Sequence, residues 1–447
     1  METRPQGSPR VVLSEAAQSP TTPPQARGTG SVAAAGPLLP DIGVIALVPD
    51  YWGGPWMPRH YVLTRLARYF HVVWVDPPRE WRDWWLRGAR QTPVALTNEM
   101  VVPGFAVYRP GRWLPLLYRP AFGAGLTERL RVWRARQLLH ARGCRRTIMY
   151  LWRPEFARAL DAFRPTIACY HIDDEYTFSE AERPLGESEA RLIARVDQVI
   201  IHSPALLEKK GHLNSHTALI PNGVHYRAYA GQAAEPEDLR PIARPRIGYV
   251  GFIKEQLDIP LLLLLARRHA EWSFVLIGPS RLTGADATTF ADLVRLPNVH
   301  WLGPKPVNAL PAYTQQLDVC LMCYRMTDYT KYIYPLKLHE YLATGHPVVG
   351  SPIRSLLSFG DVITLAQTAD EWSAALQHAL APAAGAPAAV AARRQVARDH
   401  DWDRLVARIA RTLCERLGPN DLARFDAVAA TTVPEPASQT VAACQNA

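Results

Sequence analysis

The chain has 447 residues, a length that suits two domains of ordinary size with tails. Hydrophobic residues make up 48% of it, which is ample for a large core, and no apolar run reaches the ~18 residues that a membrane span needs. The formal net charge is +9, and Arg109–Arg146 alone holds ten arginines against the single acid Glu128. Six scattered cysteines exclude a disulfide framework.

Residues 1–40 are rich in Pro, Ala, Gly, Ser and Thr and lack the compact apolar core of a signal peptide. We predict a disordered leader there and a cytoplasmic protein. Cys320 and Cys323 form a lone C-x-x-C in an apolar run typical of a buried strand, with no second ligand pair after it. We therefore interpret them as core residues rather than as a zinc or redox site.

The first half of the chain predicts a doubly wound α/β domain over residues 41–229. Ile42–Asp50 and His71–Pro78 are apolar runs of strand length, and His60–Phe70 between them places its apolar residues on one helical face. Strand, helix and strand in this order imply a parallel sheet with a right-handed crossover. Further strand-like runs follow at Met100–Val102, Phe105–Tyr108, Arg146–Trp152 and Thr166–His171.

The second half predicts a similar domain. Residues 230–245, rich in Ala, Pro and charge, are typical of a linker, and a Rossmann-like domain over 246–400 opens with the strand Arg246–Ile253. An amphipathic helix is predicted over 401–418 and a mostly disordered tail over 419–447. Two such domains facing each other place a ligand between the carboxyl ends of their sheets.

Aromatic residues accompany the positive charge between residues 79 and 146. Trp81, Trp84 and Trp85 lie just upstream of the arginine-rich stretch. Basic residues interleaved with tryptophan are typical of a surface that docks on an anionic membrane. Nucleic acid would suit the same chemistry, although no nucleic-acid module is visible, and a solvated arginine-rich helix face explains the charge equally well.

The stretch from Tyr332 to Pro352 carries the strongest functional pattern. Pro335 suits a helix start, a helix stop follows at Gly345, and a short apolar strand comes next. Lys337 and Glu340 are three residues apart and so share one helical face. A cation in the first helical turn indicates that an anion binds there, and a carboxylate one turn further in can accept hydrogen bonds from a vicinal diol. The spacing predicts a nucleotide diphosphate.

The residues from Pro335 to Val349, PLKLHEYLATGHPVV, resemble the signature of the GT-B glycosyltransferases of family 4, also called group 1. Leu219–Val224, Leu296–Leu321 and the Trp-containing helix after Asp401 are similar to other segments of that family, and the amino-terminal part is similar to a bacterial branch of the teichuronic-acid type. The resemblance covers residues 41–418. It implies a GT-B fold, two Rossmann-like domains facing across a cleft with a carboxyl-terminal helix returning to the first.

The resemblance also implies roles for particular residues. Glu340 matches the glutamate that holds the donor ribose, Lys337 lies in the donor-binding turn, and Gly53 and Gly54 match a glycine loop that approaches the diphosphate and the acceptor. His60 either faces the diphosphate or caps its helix. Further predicted donor contacts are Gly251, Lys254, Gly303 and Tyr332, although core packing is the better explanation of Tyr332 and a tight turn explains Gly303 equally well.

Three positions depart from the family pattern. Tyr332 stands where the partner glutamate of Glu340 is expected, Phe252 replaces an arginine, and Leu257 replaces a lysine. Loss of both cations would weaken stabilisation of the leaving diphosphate, and Lys254 is a candidate replacement.

A cluster of ionisable residues follows the predicted strand Thr166–His171. Asp173 is a candidate general base if the reaction inverts, and His171 is a candidate ligand of sugar hydroxyls if it retains. The alternative is an ordinary polar loop. We favour function because such side chains at the carboxyl end of a parallel strand face the ligand.

Together these patterns predict a glycosyltransferase that moves a sugar from a UDP-, GDP- or TDP-sugar to a glycan or lipid-linked acceptor in cell-surface synthesis. The family usually retains anomeric configuration and uses no metal or other cofactor. A sugar-nucleotide 2-epimerase and a non-catalytic nucleotide-sugar-binding protein stay open as alternatives. The predicted location is the cytoplasm, with peripheral docking on the inner face of the plasma membrane and no nucleic-acid partner.

Overall fold

The computed structural model describes residues 36–54, 56–77, 99–110, 121–176 and 184–432, which all fall in one compact unit of the chain. Trp81, Trp84 and Trp85, on which the membrane prediction partly rests, lie outside these ranges. Of the predicted leader, residues 36–40 are described and are folded. Leu39 is 1% exposed and packs in an apolar cluster of the first domain, the first core, which also contains Val44 and Trp74. The backbone N–H of Leu39 bonds to the carbonyl of Tyr69.

The first domain is built on an eight-stranded sheet in the order β3-β4-β2-β1-β5-β6-β7-β8. Every neighbouring pair is parallel except β3 and β4. The strands are β1 (Ile42–Leu47), β2 (His71–Val75), β3 (Glu99–Val102), β4 (Phe105–Tyr108), β5 (Arg146–Leu151), β6 (Ile167–Ile172), β7 (Gln198–Ile201) and β8 (Thr217–Leu219).

Helices cover both faces of this sheet. Val44 and Ala46 of β1 pack in one apolar cluster, while Ile45 and Leu47 pack in the other, because successive strand side chains point to opposite faces. The helices are α1 (Pro58–Leu66), α2 (Ala121–His140), α3 (Ala159–Ala162), α4 (Glu187–Arg195) and α5 (Pro204–Lys210). The next helix, α6 (Tyr226–Ala230), packs instead in the apolar core of the second domain, where Tyr229 is buried.

The second domain has a six-stranded parallel sheet in the order β11-β10-β9-β12-β13-β14. Its strands are β9 (Arg246–Val250), β10 (Ser273–Ile277), β11 (Val299–Gly303), β12 (Val319–Met322), β13 (Val348–Gly350) and β14 (Thr364–Leu365). Its helices are α7 (Ile259–Arg268), α8 (Gly284–Leu293), α9 (Leu310–Thr314), α10 (Leu336–Thr344), α11 (Ala369–Leu380) and α12 (Pro387–Asp399). Cys320 and Cys323 are buried free thiols in this core.

Two carboxyl-terminal helices, α13 (Trp402–Leu417) and α14 (Pro419–Thr432), pack on the first domain. The prediction of a mostly disordered tail is wrong for residues 419–432. Asp421 accepts a 2.8 Å hydrogen bond from Arg146, and Phe425 is 4% exposed within the first core. An ion pair with a buried carboxylate and a buried ring give this helix the tertiary contacts that its composition does not reveal.

The chain crosses between the domains at two adjoining points. The N–H of Val224 bonds to the carbonyl of His400 at 3.0 Å, and the N–H of Trp402 bonds back to Val224 at 2.9 Å. The carboxyl ends of the two sheets meet nearby, where Tyr329 after β12 donates to Asp174 after β6 at 3.0 Å. Among the described helices, none is long and apolar enough to cross a membrane.

Candidate functional site

The helix that the sequence singled out forms as predicted. Pro335 precedes α10 in an extended conformation, and Gly345 ends the helix with φ +86°. The left-handed conformation at Gly345 favours glycine, and its carbonyl accepts a 2.8 Å bond from Arg393 of α12. This support fixes α10 against the sheet, with its first turn at the carboxyl edge of the strands.

Lys337 lies against the turn that ends β9. Its ammonium stands 4.7 Å from the centre of the Tyr249 ring and donates to the Tyr324 hydroxyl at 3.3 Å. A Cβ on Gly251 would come within 3.1 Å of the Lys337 Nζ, so glycine makes room for this cation. Lys337 and Gly251, both predicted donor contacts, are therefore neighbours.

Glu340 lies one turn further along α10 and is half-buried. Burial raises the pKa of its carboxyl, while a hydrogen bond from Tyr229 of α6 and the charge of Lys337 oppose that rise. Burial, together with the negative charge of Glu340, also raises the pKa of Tyr61 in α1. The carboxylate therefore stands near the first domain as well as beside Lys337.

Three glycines mark the carboxyl ends of adjacent strands β9, β10 and β11. The N–H of Gly251 bonds to Ile277 at 2.8 Å, and the N–H of Gly278 bonds to Gly303 at 2.8 Å. A Cβ on Gly278, whose φ is +135°, would lie 2.0 Å from the carbonyl oxygen of Gly251. These backbones touch, so bare glycine backbone at Gly251 borders Lys337. Gly303 has open space around it and φ +67°.

The structure explains two of the three departures from the family pattern. Leu257 is 1% exposed in the second core, where a lysine would be buried. Phe252 lies under the guanidinium of Arg281, 4.7 Å from the ring centre. Lys254, the candidate replacement cation, is exposed in the same loop, and its carbonyl accepts from the N–H of Leu257 at 2.9 Å.

Tyr332 packs away from solvent. It is 4% exposed, belongs to an apolar cluster of the first domain, and lies under the ammonium of Lys209 at 5.1 Å. Its burial leaves little surface for a sugar, so the contacts favour the core-packing alternative over the predicted donor-pocket role.

On the first-domain side, Asp173 forms a buried ion pair. Its Oδ2 lies 3.3 Å from Arg59, which also contacts Asp50 at 2.8 Å, and its Oδ1 accepts from the Tyr176 hydroxyl. Burial alone would raise the pKa of Asp173, but the Arg59 charge and the Tyr176 hydrogen bond lower it overall. The Asp173 carboxylate therefore stays ionised and is a weak base.

His171 is 5% exposed at the end of β6. Its ring stacks on Trp152 with 4.1 Å between centres, and its Nδ1 shares a 2.8 Å hydrogen bond with the Tyr150 hydroxyl. Burial lowers the pKa of His171 to about 3, so the ring is neutral. A neutral, fixed imidazole suits a hydrogen bond with a hydroxyl better than charge stabilisation.

His60 caps α1. It is fully buried among the rings of Trp52, Trp56 and Trp74, and its Nδ1 accepts from the N–H of Met57 at 3.0 Å. Burial lowers its pKa to about 4. These contacts favour the capping alternative over a diphosphate contact.

The predicted glycine loop forms a turn after β1. The N–H of Gly54 bonds to Tyr51 at 2.9 Å, and the N–H of Trp52 is held by Asp76 at 2.8 Å. Gly53 is exposed, with no atom within 4 Å of a Cβ placed there. The open space in front of Gly53 is compatible with close approach of a ligand. Within the described ranges, no group of three or more His, Cys, Asp or Glu side chains is arranged to hold a metal ion.

Residues 244–381 match the family model described as glycosyl transferases group 1. This part of the chain is similar to the group 1 glycosyl transferases. The matched residues contain Gly251, Lys337 and Glu340, so the predicted donor site lies within them. Over 188 residues the chain is 35% identical to the putative teichuronic acid biosynthesis glycosyltransferase TuaH of Bacillus subtilis (strain 168), a match to 40% of this chain and 46% of that relative. The chain thus aligns with about half the length of this curated relative.

Solved structures share the whole two-domain arrangement. Sucrose-phosphate synthase from Thermosynechococcus elongatus aligns with a TM-score of 0.59 at 19% identity, over 84% of this chain and 98% of that one. The E. coli trehalose-6-phosphate structure bound with UDP-2-fluoro glucose aligns with a TM-score of 0.62 at 13% identity, over 84% of this chain and 98% of that one. Anabaena Alr3699/HepE in complex with UDP-glucose aligns with a TM-score of 0.57 at 15% identity, over 84% of this chain and 99% of that one. These likenesses confirm the GT-B fold.

Three residues near the site were missed in the sequence. Arg59 occupies the second position of α1, and the reasoning applied to Lys337, a cation in a first helical turn, would have selected it. Tyr229 and Arg281 gave no such signal, because Tyr229 reaches Glu340 and Arg281 reaches Phe252 only through folding of distant segments.

Proposed function

We propose that the protein is a glycosyltransferase that moves a sugar from a nucleotide-diphosphate sugar to an acceptor of cell-surface glycan synthesis. The observation that carries the proposal is the placement of Lys337 beside the Gly251 turn with Glu340 on the same helix, inside the residues that match the group 1 glycosyl transferases. A cation beside bare glycine backbone suits a diphosphate, and a half-buried carboxylate suits a ribose diol. The UDP-sugars held by two structures of the same fold make UDP the first candidate, ahead of GDP and TDP.

The proposed reaction breaks the bond between the anomeric carbon and the diphosphate oxygen and forms a bond from that carbon to the oxygen of an acceptor hydroxyl, whose proton passes to the departing nucleoside diphosphate. We propose that configuration is retained and that protein cations, without a metal, stabilise the leaving diphosphate. The Arg59 pair keeps Asp173 weakly basic, which supports a positioning role for it rather than that of an inverting base. His171, neutral and fixed by Tyr150, is the proposed ligand of a sugar hydroxyl.

The test is incubation of purified protein with a panel of UDP-, GDP- and TDP-sugars, with and without chelator. Release of the matching nucleoside diphosphate, faster with an acceptor and unaffected by chelator, is the expected result. C2 epimerisation of the donor would favour the epimerase alternative. A thermal shift without turnover would favour a non-catalytic binding protein, and absence of any binding would overturn the donor-site assignment.

We further propose that the acceptor is lipid-linked and that α2 docks on an anionic membrane. One face of α2 exposes Leu126, Leu130 and Trp133, with exposed fractions of 58%, 38% and 54%. These positions recur every three or four residues, and the exposed Arg129 and Arg134 lie between and beside them. Apolar and aromatic side chains flanked by arginine are the features of a helix that lies in a headgroup layer.

Sedimentation with liposomes tests this surface. Vesicles rich in anionic lipid should bind the protein at low salt, and the double change Leu130→Ala with Trp133→Ala should weaken binding, while Trp301→Ala, which removes another exposed tryptophan, should not. Equal binding by all three proteins, or equal binding to zwitterionic vesicles, would contradict the proposal.

A further inference from the structure

Two loops at the carboxyl edge of the second sheet are joined through their backbones. The N–H of Ile253 bonds to Pro279 at 3.0 Å, and the N–H of Arg281 bonds to Ile253 at 2.8 Å. Gly251, at the start of the first loop, borders the Lys337 ammonium. The side chain at position 281 therefore emerges from a fixed loop that is bonded directly to the turn beside Lys337.

The guanidinium of Arg281 stacks on Phe252. It lies 4.7 Å from the ring centre, and the side chain is exposed on its other side. Stacking on an aromatic ring orients a guanidinium while leaving its N–H donors available. Phe252 stands where the family pattern has an arginine. The Phe252 ring therefore holds the guanidinium of a different arginine, Arg281, in place.

Arg281 has no carboxylate partner among the described residues, and its neighbours explain why. Asp286, five positions further on, receives two hydrogen bonds from Arg325, at 2.8 and 2.6 Å. Asp258, in the adjoining loop, accepts from the N–H of Leu261 and caps α7. The nearest carboxylate along the chain, that of Asp286, and the carboxylate of Asp258 in the adjoining loop are thus occupied.

Lys254 is also exposed and without an ion-pair partner in the described part of the chain. Lys337 contacts tyrosine rings, and its charge acts on the Glu340 carboxylate one turn further along α10. Arg281 and Lys254, which lie in the two bonded loops next to the Lys337 turn, have no ion-pair partner among the described residues, and such cations favour binding of a polyanion.

We infer that Arg281, oriented by Phe252, contacts the diphosphate of the donor nucleotide and supplies the positive charge that residue 252 does not provide. The inference rests on the proposed function, since it assumes that a nucleoside diphosphate binds beside Lys337. A planar guanidinium can donate two hydrogen bonds to phosphate oxygens, and its charge opposes the negative charge that develops on the leaving group.

Titration calorimetry of the full chain with UDP, GDP and TDP, and with the corresponding monophosphates, tests the inference. Wild-type protein should bind one diphosphate more tightly than its monophosphate. Arg281→Ala should lower diphosphate affinity by about tenfold to a hundredfold and shrink that preference. Arg281→Gln keeps a planar group over Phe252 but lacks the charge, so it should lose diphosphate affinity to the same extent as Arg281→Ala.

A rescue and a control sharpen the result. Adding Phe252→Arg to Arg281→Ala should restore the diphosphate preference, whereas Arg267→Ala should change nothing, because Arg267 lies in the last turn of α7, at the opposite edge of the sheet. Wild-type protein that binds no nucleoside diphosphate would overturn the proposed function and the inference together. Wild-type binding with unchanged affinity in Arg281→Ala and Arg281→Gln would overturn the inference alone.

Discussion

Substitution of Glu340 by alanine should weaken nucleotide binding through the ribose rather than through the diphosphate. The half-buried carboxylate receives one hydrogen bond from Tyr229, and a carboxylate has about four acceptor positions, so it can still accept from a diol. A hydrogen bond to a charged group contributes roughly 1.5–3 kcal/mol, so the loss of one should reduce affinity by about tenfold to a hundredfold.

Calorimetry with the best-bound nucleoside diphosphate and its 2′,3′-dideoxy analogue isolates this contribution. Wild-type protein should prefer the ribose form, and Glu340→Ala should bind both forms alike. Glu237→Gln, which changes an exposed carboxylate of the linker, is the matched control. Because the diphosphate is common to both ligands, its contribution cancels in the ratio of affinities. A ribose preference that survives in Glu340→Ala would refute the assignment of this residue.

The same ratio should depend on pH. Burial raises the pKa of the Glu340 carboxyl, so the group protonates at a higher pH than an exposed glutamate. The ribose preference should therefore be full above this raised pKa and decline as the pH falls through it. Glu340→Gln should show a small preference without this decline, and a parallel decline in that variant would assign the pH dependence to another group.

Three further predictions concern folding. Burial lowers the pKa of His60 to about 4, so between pH 6.5 and 4 the unfolded state binds a proton that the folded state does not, and the stability should fall by about 3 kcal/mol as the pH drops. Urea unfolding of His60→Gln should show a smaller fall. Gly278→Ala places a Cβ 2.0 Å from the Gly251 carbonyl and should lower the melting temperature, whereas Gly385→Ala, with no atom within 4 Å, should not. Trp402→Ala removes a ring that is 3% exposed and should destabilise the protein by about 3–5 kcal/mol in denaturant titrations.

Much of the fold follows from local patterns that are strong in this chain. The apolar runs of β1 and β2 and the Pro335-to-Gly345 helix were predictable because a buried parallel strand and a capped helix each have their own residue pattern. Helix α14 was not predictable, because the contacts of Asp421 and Phe425 that hold it come from the first domain, far away in sequence.

The candidate site was predictable only where one short segment carries it. Lys337 and Glu340 lie three residues apart on one helix, so their shared face is a local property. Tyr332 and His60 were predicted ligand contacts with core packing and helix capping as alternatives, and their burial in a core cluster and among tryptophan rings favours those alternatives. Burial is a tertiary property. Composition cannot distinguish a ring that lines a pocket from a ring that fills a core.

Whether a basic side chain is paired with an acid is likewise a tertiary property that the sequence does not reveal. The ten arginines between Arg109 and Arg146 dominate the net charge, yet Arg131 and Arg146 within that stretch are bound by acids. Arg281 and Lys254 stand apart in the sequence and lack an ion-pair partner among the described residues, although they lie in two loops that are bonded to each other next to the Lys337 turn. Net charge therefore locates the basic segment, whereas the pattern of ion pairing locates the cations available to a phosphate. The net charge can be counted from the sequence, whereas the ion pairing is determined by the fold.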